Sequence, residues 1–320
     1  MEETNLIEIK DLTKKYGDTV AIDRLSFTIQ KGGVHGILGP CGAGKTTLMN
    51  IISGCLTPDS GSVILLDTDI TEAHVMAKRR VGYLPEVLPL YENMTARELL
   101  VFVAEAKKVP EDKIDKNVDK AMELTYIAEL KGRLVKNLAP DARKLLGLAA
   151  AMLGNPDIIL VDDPTKGLNS RESAAIRDII VQLGEVKTVI VSSSDVSELR
   201  EICADLVILS DGRKIAEGSI EELERRLSKT RALVISVRGV EQKVISALSE
   251  VEGIIDCTVE SRSQGVVKLK LEFESEKEIR DAVFASLAKA GCPILSMDTE
   301  ALTLDDIYLK LTASAEKGGR

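Results

Sequence analysis

The sequence lacks paired cysteines, a long apolar run and an excess of positive charge, and each absence removes a class of function. Its five cysteines, at positions 41, 55, 203, 257 and 292, are scattered with no paired spacing. That excludes a zinc ribbon, provides no disulfide framework, and predicts a reduced, cytosolic compartment. No stretch approaches the ~18 apolar residues of a membrane span. The run over 145–153 is short and is interrupted by Gly147. Met1-Glu2-Glu3-Thr4-Asn5 is acidic with no apolar run behind it, so it does not read as a secretory signal. The expectation is a soluble protein whose membrane contact, if any, comes through a partner. A formal net charge of −9 argues against a nucleic-acid partner, which calls for a basic face.

What is present describes an ordinary globular protein. The chain has 320 residues, 44% hydrophobic and 29% charged. At roughly 150 residues per domain that suggests about two domains. Residues 5–10 and 25–30 alternate like half-buried strands. Val34-His35-Gly36-Ile37-Leu38 reads as a buried strand, with further strands predicted at 60–66, 81–84, 158–161, 188–192 and 206–209. The pattern over 95–153 is mostly helical, broken near 109–110 and 137–140, and another helix is predicted at 171–184. Continuous apolar strands alternating with helices predict a parallel sheet covered on both faces. A charged helix is expected over 217–229. Beyond it, segments 232–237, 241–251, 253–260, 266–273, 276–290 and 293–297 give the order βαββαβ of a ferredoxin-like unit, followed by a helix at 304–312. That second unit carries no glycine loop, metal spacing or carboxylate pair. It reads as a structural or dimerising appendage, with a small-ligand sensor as the alternative.

The chemistry sits between the third predicted strand and the helix that follows. Gly39-Pro40-Cys41-Gly42-Ala43-Gly44-Lys45-Thr46 has the spacing of a phosphate loop in its strand–loop–helix setting. Glycines let backbone N–H groups point inward and cradle phosphate oxygens at a helix N-terminus. Lys45 reaches the β and γ phosphates, and Thr46 offers its hydroxyl to Mg²⁺. Thr47 completes the nucleotide-binding run. Asp162, at the end of a buried strand, stands where it holds the same Mg²⁺ through water. Cys41 reads as a small residue fitting a tight loop rather than as a redox centre.

Taken in order, residues 1–220 resemble the ATP-binding subunit of an ABC transporter. Tyr16-Gly17 stands where an aromatic ring stacks on adenine, and Gly82-Tyr83-Leu84-Pro85-Glu86 where the Q-loop belongs. Leu138–Ala142 occupies the signature position and Asn155–Thr165 that of the Walker B strand. Gly167-Leu168-Asn169 stands at the D-loop, and Ser192-Ser193-Ser194-Asp195 at the H-loop. The 230–320 tail is similar to the C-terminal domain of the gliding-motility, sodium and drug exporter branch, in which Gly-Tyr-Leu-Pro-Glu is common. The resemblance implies an α/β P-loop NTPase domain of ABC type over 1–225, with a parallel core sheet, an antiparallel β subdomain and a helical subdomain. A small α+β domain follows over 226–320. It implies ATP and Mg²⁺ as cofactors, with Thr46, Asp162 and Glu86 around the metal. It also implies a separate membrane permease, a homodimer or a heterodimer with another ATP-binding subunit, and a cytoplasmic position at the membrane. Leu88-Pro89-Leu90-Tyr91 would lie near the groove that receives the permease, or simply pack locally.

Four positions depart from the family pattern, and they fall on the hydrolytic parts. The general base after the Walker B aspartate is Asp163 rather than Glu, which removes about 1.5 Å of reach. The H-loop histidine is Ser194, and the two histidines of the chain, His35 and His74, are remote from it in sequence. The signature reads Leu138-Ala139-Pro140-Asp141-Ala142. Ala139 has no hydroxyl, Pro140 no N–H, and Asp141 carries a charge like that of a phosphate. The D-loop aspartate is Asn169. The resemblance assigns catalytic roles to Asp163, Ser194 and Glu86. The departures predict tight Mg-ATP binding with weakened hydrolysis, either in a transport motor or in a regulatory subunit paired with a consensus ATPase. Asp163 and Ser194 sufficing for slow turnover is the alternative.

Overall fold

A computed structural model describes residues 5–70, 75, 79–227, 230–263, 265–274 and 278–301. The chain divides into two compact units, Met1–Ser219 and Ile220–Arg320.

The first unit opens with a long hairpin. Strands β1 (Asn5–Tyr16) and β2 (Thr19–Gln30) pair antiparallel, and β4 (Ser60–Leu65) and β5 (Thr68–Asp69) complete a sheet in the order β2-β1-β4-β5. Both hairpin strands are about twice the length that the alternation at 5–10 and 25–30 predicts. The register shifts between Ile9 and Leu12, and Asp11 and Arg24 take positive φ of 44° and 47°. A bulge moves the following residues to the other face, so the period of two is lost although pairing continues.

The second sheet carries the site. Strands β3 (Gly33–Leu38), β6 (Val81–Leu84), β7 (Ile158–Asp162), β8 (Thr188–Ser193) and β9 (Asp205–Ser210) run parallel in the order β9-β3-β8-β7-β6. Every residue of β7 and β8 is buried, which is why 158–161 and 189–191 read as apolar runs. Strand β10 (Arg213–Ser219) closes the edge antiparallel to β9. The helix expected from 217 therefore starts later, as α7 (Ile220–Leu227). Residues 217–219 pair with β9 instead, and their polar edge-strand composition gives no strand signal. Helix α1 (Lys45–Ile52) shares one apolar cluster with β1, β2, β4 and the parallel strands. Helices α5 (Ser170–Gly184) and α6 (Val196–Ile202) pack on β3 and β8.

Helices α2 (Ala96–Ala106), α3 (Glu111–Leu124) and α4 (Pro140–Met152) form a helical layer with its own core, including Leu100, Val118 and Leu146. Lys107 ties the layer down. Its ammonium donates to the carbonyls of Ala150, Ala151 and Leu153 at 3.4, 3.0 and 2.9 Å, capping the C-terminus of α4. Burial lowers its pKa to about 8.

The second unit contains β11 (Thr230–Arg238), α8 (Glu241–Leu248), β12 (Ile254–Ser263), β13 (Val266–Glu274), α9 (Arg280–Lys289) and β14 (Ile294–Ala301). The sheet is antiparallel in the order β12-β13-β11-β14. Leu233, Ile235, Leu269 and Leu271 meet Val244, Leu248, Val283 and Leu287 of the two helices in one core. Helix α8 stops at Leu248 rather than 251, because Val251 turns back to the Leu248 carbonyl and Gly253 takes a φ of 101°. The helix expected at 304–312 lies outside the described residues. Among the described residues, no helix is long and apolar enough to cross a membrane.

Candidate functional site

The loop Gly39–Thr46 joins β3 to α1, and neighbouring backbone holds it in place. Gly44, the residue before α1, has φ 96°, and a Cβ there would lie 2.4 Å from the Ala21 carbonyl oxygen. A Cβ at Gly39 would lie 2.8 Å from the Leu209 carbonyl oxygen. Strands β2 and β9 thus press on the loop closely enough that glycine is required at both positions. The first N–H groups of α1 have no intrahelical acceptor, so the loop ends in a set of anion-seeking donors. Lys45 is 6% exposed, and its ammonium donates to the Gly39 and Pro40 carbonyls at 2.7 and 3.2 Å. Thr46 is exposed and Thr47 half-buried at the start of α1. Tyr16 ends the strand of the hairpin that also places Ala21 against the loop. Its ring is 52% exposed, with the Lys14 ammonium 5.9 Å from the centroid.

Asp162 ends β7 fully buried. One carboxylate oxygen accepts the Ser192 hydroxyl, and the other is buried without a hydrogen-bond partner. A buried carboxylate oxygen left unpaired is costly and invites a cation. The Tyr83 hydroxyl lies buried close to this carboxylate, and burial, reinforced by the Asp162 charge, holds its pKa well above the usual range. Among the described residues no group of three or more His, Cys, Asp or Glu side chains could hold a metal unaided. The donor set fits Mg²⁺, which keeps several waters and takes one or two carboxylates together with substrate phosphates. Asp162 and Thr46 are the residues that would hold it.

Asp163 follows at φ 43°, its N–H donating to the Ser192 carbonyl at 3.0 Å. It lines a cavity of about 410 Å³ together with Cys41, Lys166, Ser194 and Glu198. Burial raises the Asp163 pKa, while the Lys45 charge opposes the rise. Ser194 is exposed at the rim. Its neighbours do structural work. Asp195 caps α6, accepting from the Ser197 and Glu198 N–H groups at 2.9 and 3.3 Å. The Ser193 hydroxyl donates to Glu198 at 2.6 Å. Glu198 is itself buried and also accepts from Thr165 at 2.7 Å, and burial raises its pKa.

Two lysines stand in this site that motif spacing does not single out. Lys166 donates to the Glu86 carboxylate at 2.5 Å, so that ion pair must open before Glu86 can turn to a metal. Lys144 donates to the backbone carbonyls of Glu86 and Asp163 at 3.1 and 3.2 Å. One side chain of α4 therefore ties together the exits of β6 and β7. A signal for it existed: Lys144 is the one charge among Ala142, Leu146, Gly147, Leu148 and Ala149, all buried on α4. The N-terminus of α4 begins with Ala139 uncapped, Pro140 in the first turn and Asp141 behind it.

Comparison with known proteins is consistent throughout. Residues 22–166 match the ABC transporter family. The linearmycin resistance ATP-binding protein of Bacillus subtilis is 25% identical over 96% of this chain and 98% of its own length. An uncharacterized ABC transporter ATP-binding protein of Methanocaldococcus jannaschii is 30% identical over 69% of this chain and 80% of its own. A dimeric bacterial ABC transporter cassette shares the fold, with a TM-score of 0.62 over 67% of this chain and 98% of that structure, at 24% identity.

Proposed function

This chain belongs to the ATP-binding proteins of ABC transporters, and from that premise we propose that it binds Mg-ATP at a dimer interface with weakened hydrolysis. In this reading it drives or regulates a separate membrane permease from the cytoplasmic side, in a homodimer or beside a second ATP-binding subunit. Residues 1–225 form the ATP-binding domain, and 226–320 a ferredoxin-like accessory domain whose interleaved strand order supports the assignment.

The observation that carries the binding half is the unpaired, buried Asp162 oxygen behind an intact phosphate loop. On binding, the ammonium of Lys45 leaves the Gly39 and Pro40 carbonyls for the β and γ phosphates, and the loop amides take the remaining charge. Tyr16 offers its exposed ring to the base. Mg²⁺, when bound, neutralises phosphate charge and orients the terminal phosphoryl group.

The weakened half rests on Asp163, Ser194 and Asp141. Burial makes Asp163 a stronger base than an ordinary aspartate, but its shorter side chain stops about 1.5 Å early. Ser194 offers a short neutral hydroxyl where the family has an imidazole. Glu86 is engaged by Lys166. Asp141 would meet the partner's phosphate with like charge at a helix N-terminus that would otherwise attract it. That last residue also favours a second reading, a non-hydrolysing regulatory subunit paired with a consensus ATPase.

Equilibrium titration with ATP and steady-state phosphate release by the purified chain test the proposal together. The expected result is Mg-dependent binding, lost in Lys45→Ala, with phosphate release far below the ~10 s⁻¹ median of enzymes. Turnover near that median overturns the weakened-site reading. Unchanged binding by Lys45→Ala overturns the site itself.

A further inference from the structure

A second cleft lies within the first unit, away from the phosphate loop, between α3, the end of α4, the start of β7 and the end of α5. Its volume is about 490 Å³, within the 300–1,000 Å³ range of small-molecule sites. Its walls combine two features. Lys113, Lys116, Lys120 and Lys187 line it with no carboxylate among the lining residues. Beneath them the floor is aliphatic, with Ile159 and Leu183 buried at its base and Leu124 and Val186 exposed at 40% and 75%.

The charge arrangement is not the default for this chain, in which 51 acidic residues outnumber 42 basic ones. Helix α3 itself carries five carboxylates, Glu111, Asp112, Asp115, Asp119 and Glu123. It sorts them from its lysines. Asp115 and Asp119 turn to Arg97 of α2, at 2.8 and 3.7 Å. Lys113, Lys116 and Lys120, spaced three and four residues apart, share one helical face and turn to the cleft. Among the described residues none of the four cleft lysines has an ion pair with a carboxylate. Converging ammonium groups repel one another and attract a compact anionic group. The exposed aliphatic floor asks for an apolar body, and no aromatic side chain lines the cleft to stack on a base.

We propose that this cleft binds an anionic amphiphile, with a phosphate or carboxylate head held by Lys113, Lys116, Lys120 and Lys187 and an aliphatic body on Leu124, Ile159 and Val186. Its walls come from the helical layer and from the parallel sheet, so a ligand there bridges the two parts of the unit.

Calorimetric titration of the full chain with monomeric decyl phosphate tests it, with decanoate as the carboxylate arm. At least one of the two binds, about tenfold or more tightly than inorganic phosphate and uncharged decyl maltoside. Which one binds identifies the head group. The double variant K116Q/K120Q, confined to exposed side chains, weakens binding by about tenfold. Leu124→Glu weakens it as well, and Lys45→Ala leaves it unchanged, which separates this cleft from the nucleotide site. Equal binding of decyl maltoside, or an undiminished affinity in the lysine double variant, overturns the proposal. So does binding to anionic lipid vesicles without binding of either monomeric amphiphile, which would make the patch a membrane contact instead.

Discussion

At β3, two residues into the strand that feeds the phosphate loop, His35 has surroundings that favour its protonated form. Its Nδ1 faces the Asp205 carboxylate oxygens at 2.8 and 3.0 Å, and its Nε2 faces the Gly32 carbonyl oxygen at 2.7 Å. Both partners accept, so the imidazolium, with both ring nitrogens donating, is the form that these surroundings favour. Burial by itself lowers the His35 pKa. The hydrogen bond and charge of Asp205, with the Gly32 and Gln30 carbonyls, outweigh it and raise the pKa above its ordinary value. The stabilisation is therefore complete below the unfolded pKa of about 6.5 and fades as pH rises through the higher folded value. His35→Gln should lower the unfolding free energy by about 2 kcal/mol at pH 5.5. That deficit should shrink toward pH 9 in paired denaturant titrations. A deficit that stays constant across this range would show that the ring is neutral in the folded protein.

Among the elements, α5 shows how one residue can be read two ways. Asn169 departs from the family aspartate of the D-loop, yet in the fold it caps α5. Its side chain accepts the Arg171 and Glu172 N–H groups at 3.0 Å each, and Glu172 returns a bond to the Asn169 N–H at 3.0 Å. Asparagine and aspartate cap equally well. Asn169→Asp should leave stability nearly unchanged in thermal unfolding, and Asn169→Ala should lose about 1 kcal/mol. Equal losses in the two variants would show that the side chain does not cap the helix. Other elements differ in how far their composition reveals them. Strands β7 and β8 are covered on both faces, so their burial is written directly in runs such as Ile158–Val161. The phosphate loop is legible because glycine spacing encodes backbone shape. The bulged halves of β1 and β2 are not, since a register shift leaves no mark on composition, and β10 is hidden by its charged, half-exposed alternation. The Glu86–Lys166 pair joins residues 80 apart in the chain, and only the fold brings β6 and β7 side by side. Asp163 and Ser194 sit at the ends of the adjacent strands β7 and β8, and the common cavity there follows from parallel pairing rather than from spacing.

For the whole molecule, in the proposed reading hydrolysis depends on two chains, the phosphate loop of one subunit being closed by the signature helix of the other. In a homodimer of this chain, each site would combine Asp163, Ser194 and the partner's altered signature helix. Beside a consensus subunit the defects would be divided: one site would have a short base facing a sound signature, and the other a sound base facing Asp141. The double variant Asp163→Glu with Ser194→His restores reach and a titratable ring at the first kind of site only. By itself it should gain little, because Pro140 still withholds an N–H and Asp141 still repels phosphate. Paired with a consensus ATP-binding subunit, the same variant should raise phosphate release on the order of a hundredfold, the scale set by an ångström of misplacement. The comparison is made by measuring turnover of the variant alone and co-assembled, with the consensus partner's own phosphate-loop lysine changed to alanine to silence the other site. A full gain in the homomeric variant would mean that Asp141 does no harm at the interface and that the short base and the serine alone limit this protein.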